Sequence, residues 1–144
     1  LSHTGFMEVK NLKKLIGITC LMAMLTAVPV YADSASVNKY PSNANKTFAT
    51  ADKFYEQLNR NEYTEFEEAK LNFRRSTSFK NLNKVLAETD QFGKARVGGD
   101  GYDPNRQVYV FRSIAEVDGK ILTKTAVFDA ETKRPIAKSQ NIPR

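Results

Sequence analysis

The spacing of apolar positions changes along the chain, and each change predicts a change of structure. An uncharged run, Leu15 to Val30, comes first. Phe48, Ala51, Phe54, Tyr55 and Leu58 then recur at three- and four-residue spacing, which predicts an amphipathic helix over about 47–60. Asn59-Arg60-Asn61 breaks that stripe, and Thr64-Glu65-Phe66-Glu67 has the form of a capping box. Tyr63, Phe66, Ala69, Lys70 and Phe73 keep helical spacing and predict a second helix to about Phe73. Ser76-Thr77-Ser78 offers a further N-cap. Phe79, Leu82, Val85, Leu86 and Thr89 predict a third helix, closed by Gly93.

After Gly93 the period shortens. Lys94 to Val97 reads as a short strand, and Gly98 to Asn105 is loop chemistry. Gln107 to Val117 is rich in β-branched and aromatic residues, and Lys120 to Phe128 returns from Asp118-Gly119, a two-residue hairpin turn. Asp129 to Lys133 is a longer turn before a weaker last strand, Arg134 to Gln140. The predicted fold class is α+β: three N-terminal amphipathic helices packed on a small antiparallel sheet of three to four strands.

With Val117 opposite Lys120, alternation assigns every hairpin side chain to a face. Tyr109, Phe111, Ser113, Leu122, Lys124, Ala126 and Phe128 share one face, over which the helices are expected to pack. Val108, Val110, Arg112, Ile114, Ile121 and Val127 share the other. That face is apolar enough to suggest a homodimer through the sheet, unless the last strand and the Gly-rich loop cover it within one chain.

The start of the chain has the pattern of an export signal. Met7 reads as the initiator, Lys10, Lys13 and Lys14 form a basic region, and the uncharged run is shorter than the roughly 20 residues of a membrane-spanning helix. Val30-Tyr31-Ala32 resembles a signal peptidase site, with cleavage between Ala32 and Asp33. An uncleaved anchor and a lipoprotein built on Cys20 are weaker readings of the same segment. The domains expected are therefore 1–32 as upstream extension and signal peptide, 33–46 as a flexible Ser- and Asn-rich leader, and 47–144 as a single α+β domain. The expected location is periplasmic or extracellular, in a bacterial source, with no membrane span after cleavage.

Composition narrows the chemistry. The only cysteine, Cys20, and the only histidine, His3, lie upstream of the expected cleavage point, and tryptophan is absent. The mature chain thus has no Ser-His-Asp triad, thiol nucleophile, disulfide or ordinary zinc site. No metal or cofactor is expected, and carboxylate or tyrosine acid-base chemistry is what remains for catalysis. Net charge is +6; removing three lysines and Glu8 with the first 32 residues leaves +4. Basic residues such as Arg74, Arg75, Lys80 and Lys84 are interrupted by Glu62, Glu65, Glu67 and Glu68, which argues against a nucleic-acid surface. Arg112 interrupts an apolar row in mid-strand, where an unpaired charge is costly, so it is a candidate anion-binding residue. Tyr102, in the Gly-rich loop with Asp100 and Asp103, and Tyr109 are candidate ligand-stacking residues.

Phe54-x-x-x-Leu58 followed by Asn61-Glu62-Tyr63-x-x-Phe66 resembles the opening of small secreted nuclear transport factor 2-like domains. The resemblance spans about 47–142 and implies a cone of three helices leading into an antiparallel sheet. That superfamily holds both enzymes and binding modules. The expected function is a non-catalytic binding or interaction domain of the cell envelope or extracellular space, with an unidentified protein or small-molecule ligand. The alternative is a nuclear transport factor 2-like enzyme acting on a small apolar substrate. Mass spectrometry of the exported protein is expected to find Asp33 at the N-terminus; intact chain beginning at Met7 in the membrane fraction would contradict it.

Overall fold

The hairpin expected at Asp118-Gly119 organises the domain. In the computed structural model, which describes residues 38–142, Asp118 and Gly119 both have positive φ, 52° and 74°, as a two-residue turn of this twist requires. The long strands Gln107–Val117 and Lys120–Asp129 pair without interruption from Val117↔Lys120 to Val108↔Asp129. A further strand, Pro135–Asn141, pairs with the second of these, shifting register between Val127 and Phe128.

The first strand of the sheet begins inside the second predicted helix, at residues 71–73, and runs on through the expected N-cap at Ser76-Thr77-Ser78. Leu71–Ser78 is extended and pairs antiparallel with Gln107–Val117 along its whole length, Leu71↔Ile114 to Ser78↔Gln107. Numbered in chain order, β1 (Leu71–Ser78), β2 (Gln107–Val117), β3 (Lys120–Asp129) and β4 (Pro135–Asn141) form a sheet in that same order. Only two short α-helices occur among the described residues: α1 (Ala51–Gln57) and α2 (Leu82–Ala87).

The expected fold of three N-terminal helices is therefore corrected to a four-stranded antiparallel sheet with two short helices. The second predicted helix is absent, because β2 is buried on both faces and needs a strand on its free edge to satisfy its backbone groups. That pairing outweighs the helical spacing of Tyr63, Phe66 and Phe73. The first helix shortens to Ala51–Gln57, with the Thr50 Oγ1 accepting from the Lys53 N–H at 3.3 Å. The third shrinks to α2, flanked by 3-10 turns at Phe79–Asn81 and Asp90–Phe92. Lys94 to Val97 forms no strand.

The core has two parts, one on each face of the sheet. On the aromatic face Phe54 of α1 stacks on Tyr109 at 4.4 Å and approaches Phe111 and Phe128 at 5.9 and 5.6 Å. On the aliphatic face Leu82 and Leu86 of α2 pack with Phe73, Val108, Val110 and Val127. Leu82 and Leu86 thus leave the aromatic cluster in which the stripe alone would place them, and Leu58, Phe66 and Leu122 are half-buried. Val108, Val110, Ile114 and Val127 are fully buried within the chain, so the apolar face offered for a homodimer is not exposed.

Residues 38–46 run along the domain. Tyr40 bridges to Tyr102, and the Asn43 side-chain oxygen accepts from the Gln107 N–H at 2.7 Å. Beneath them Arg106 and Asp129, 3% and 1% exposed, form an ion pair. Arg106 Nη1 also donates to the Pro41 carbonyl at 2.7 Å, and Asp129 Oδ1 accepts from the N–H groups of Glu131 and Thr132 at 2.9 and 2.8 Å. The expected signal segment and the cleavage point between Ala32 and Asp33 lie outside the described residues. Among the described residues no helix is long and apolar enough to cross a membrane.

Phe111→Ala and Leu82→Ala are each expected to cost about 2–5 kcal/mol in denaturant unfolding. Because the two side chains lie in separate clusters, milder Phe111→Leu and Leu86→Val changes should add within about 0.5 kcal/mol, and strong coupling would place them in one core. Burial opposes ionisation of Asp129, but Arg106 and the Thr132 N–H more than offset it, so its pKa lies below the ordinary value. Its contribution to stability is full above the unfolded pKa of about 3.9 and is lost as pH falls through the lower folded value. Asp129→Asn should cost about 3–5 kcal/mol at neutral pH by removing the buried carboxylate of the Arg106 pair and leaving only the half-exposed Glu131 opposite it, and should flatten the acid limb of the stability curve. An unchanged acid limb would contradict this.

Candidate functional site

The sheet register places one row of side chains across the aliphatic face: Phe73 of β1, Arg112 of β2, Thr125 of β3 and Ser139 of β4. Three of these four are polar, in a layer that α2 otherwise makes apolar. Arg112 is 1% exposed, at the bottom of that layer. Its Nη1 donates to Thr89 Oγ1 at 2.6 Å and to the Thr89 carbonyl at 3.3 Å, and its Nη2 donates to the Gly93 carbonyl at 2.6 Å. Gly93 has φ 110°, a left-handed conformation that favours glycine, and this turns its carbonyl onto the guanidinium.

These acceptors are neutral. Arg112 makes no ion pair among the described residues, and its Nε has no acceptor. The nearest acidic influence is Asp90, whose carboxylate is engaged by Arg96 at 2.6 and 2.8 Å. Burial lowers the Arg112 pKa and Asp90 opposes this, but a guanidinium stays charged in a protein. Arg106 provides the internal contrast. It too is buried, and it meets Asp129 directly and Glu131 at 3.1 Å.

Beside Arg112 lies a pocket of about 340 Å³. Thr123, Thr125 and Ser139 line its sheet side, and Lys94 and Arg96 line the loop opposite. A shallower depression of about 260 Å³ continues it past Arg96, Val97, Thr125 and Ser139. Hydroxyls that donate or accept, Lys94 on the loop, Arg96 already paired with Asp90, and a buried cation in the wall make a site suited to an anion.

A second pocket, of about 370 Å³, opens on the other side of β4. It is lined by Tyr63, Arg60, Glu62, Lys124 and Lys138 among others. Lys138 pairs with Glu62 at 3.0 Å, and Lys124 lies over the Phe66 ring at 4.3 Å. Tyr63 is 7% exposed, and its hydroxyl has no hydrogen-bond partner among the described residues. Burial, reinforced by Glu65, raises its pKa and keeps it a neutral donor.

The three ligand-binding residues expected from the sequence are not brought together. Arg112 lines the first pocket. Tyr109 projects from the opposite face of β2, buried in the aromatic core with its hydroxyl donating to the Ala49 carbonyl at 2.8 Å. Tyr102 is stacked between Tyr40 and Phe79, at 4.4 and 5.0 Å. Asp103, beside it, accepts from Asn38 at 3.3 Å and from the Asn105 N–H at 2.8 Å, which is loop construction. The sequence reading gave no site role to Tyr63, Thr125, Ser139 or the Arg106–Asp129 pair. Thr125 was legible, since the hairpin register sets it opposite Arg112; Ser139 was not, because the shift at Val127/Phe128 decides its row.

Among the described residues no group of His, Cys, Asp and Glu could hold a metal ion. In comparisons with known proteins, the chain matches no family model, no curated protein and no solved structure.

Proposed function

We propose that this chain is a small exported binding module of the cell envelope or extracellular space, and that its ligand presents an anionic group, carboxylate or phosphate, to the pocket over β3 and β4. The observation that carries the binding reading is Arg112: a buried cation facing neutral acceptors only, with Nε unpartnered, in the wall of a pocket lined by hydroxyls. A buried charge without a counter-charge is costly to stability. Arg106, paired to Asp129 in the same sheet, supports the view that this fold neutralises a buried arginine where structure alone is at stake. The export half of the proposal rests on the basic, apolar and Val30-x-Ala32 pattern at the start of the chain.

Calorimetric titration of the full chain with inorganic phosphate, sulfate, acetate and glutarate, against a chloride background, tests the pocket. At least one of these anions is expected to bind and to raise the melting temperature. Arg112→Gln should weaken that binding about tenfold or more, the equivalent of about 1.4 kcal/mol, while Arg112→Lys should retain part of it. Absence of binding by all four anions, or full binding by a folded Arg112→Gln variant, overturns the reading.

A further inference from the structure

The two pockets share a strand. β4 pairs with β3 along one edge, and among the described residues no backbone group pairs with its other edge. Such an edge carries a row of free N–H and C=O groups and is a template for another strand. Side chains along β4 alternate between the two sides: Ser139 and Asn141 toward the Arg112 pocket, Lys138 and Gln140 toward the Tyr63 pocket. Ser139 and Gln140 contribute to the walls of both.

Two buried side-chain polar atoms lack a partner among the described residues, Arg112 Nε and the Tyr63 hydroxyl. They belong to residues that line the two pockets, one on each side of β4, and neither pocket includes a residue of β1, the opposite edge. Arg112 Nε can only donate and the Tyr63 hydroxyl can donate or accept; both atoms are closed from solvent, so they mark the walls as polar rather than as points of contact. The surrounding charge is mainly positive. Arg60, Lys124 and Lys138 line one pocket and Lys94, Arg96 and Arg112 the other, against Glu62 as the sole carboxylate residue in either lining.

We propose that β4 is a docking edge for an extended acidic segment of a partner protein, which adds to the sheet as a fifth strand. Main-chain hydrogen bonds to β4 hold the segment, and alternate side chains reach the two pockets, carboxylates accepting from the donors there. The proposal rests on the anion reading of the Arg112 pocket. A second copy of this chain fits the edge poorly, because antiparallel pairing of β4 with β4 about its centre would set Lys138 opposite its own counterpart.

The test uses the full chain and a blocked seven-residue peptide, Thr-Glu-Glu-Thr-Glu-Glu-Thr, matched to the seven residues of β4 and carrying glutamates on both sides of an extended strand. Its companions are a version with lysine for glutamate and two versions N-methylated on alternate amides in opposite phase. Fluorescence anisotropy should show the glutamate peptide binding and the lysine version at least about tenfold weaker. One N-methyl phase removes the N–H groups that face β4 and should lose about tenfold or more; the other should stay within about twofold. Equal loss in both phases, or no binding of the glutamate peptide, overturns strand addition. If free glutarate still binds in an Arg112-dependent way, the pocket reading survives that failure. If the peptide binds with phase dependence but Arg112→Gln has no effect on it, strand addition stands and the role given to Arg112 falls.

Discussion

The structure depends on a hairpin that is apolar on both faces. β2 and β3 carry Tyr109, Phe111 and Phe128 on one side and Val108, Val110, Ile114 and Val127 on the other, all buried. A sheet of that kind cannot leave either side in water, so the rest of the chain has to supply two covers. α1 with the stretch around Tyr63 supplies one, and α2 with the loop that follows supplies the other. This explains why the segment between β1 and β2 is long, although those strands are neighbours in the sheet. It leaves the sheet at Ser78, crosses the aliphatic face, and returns at Gln107.

Two arginines in β2 and just before it show how differently one fold can treat a buried charge. Arg106 is matched by Asp129 and Glu131, and the match fastens the 38–46 stretch to the sheet through Pro41 and Asn43. Arg112 is held in place by Thr89 and Gly93 without being neutralised. Neutral acceptors orient a guanidinium but leave its field intact, so the adjoining pocket is both polar and positive. The same loop that covers the aliphatic core therefore builds the wall of the candidate site. Core burial and site formation are thereby coupled in one segment, from Thr89 to Val97.

The sequence by itself determined what local chemistry can decide. Asp118-Gly119 set the turn, the turn set the hairpin register, and the register assigned each side chain of β2 and β3 to its face, Arg112 and Thr125 included. Composition alone leaves residues 38–142 without a thiol or an imidazole. What lay beyond it was how the partners of that hairpin would be shared out. Leu71–Ser78 has weak strand character and extends because β2 needs a partner on its free edge; α2 turns to the aliphatic face because α1 already covers the aromatic one. The pocket beside Arg112 and the placement of Tyr63 and Ser139 around β4 follow from those choices. They are products of long-range pairing and two-sided burial, terms that join residues far apart in the chain, and no local pattern of apolar positions records them.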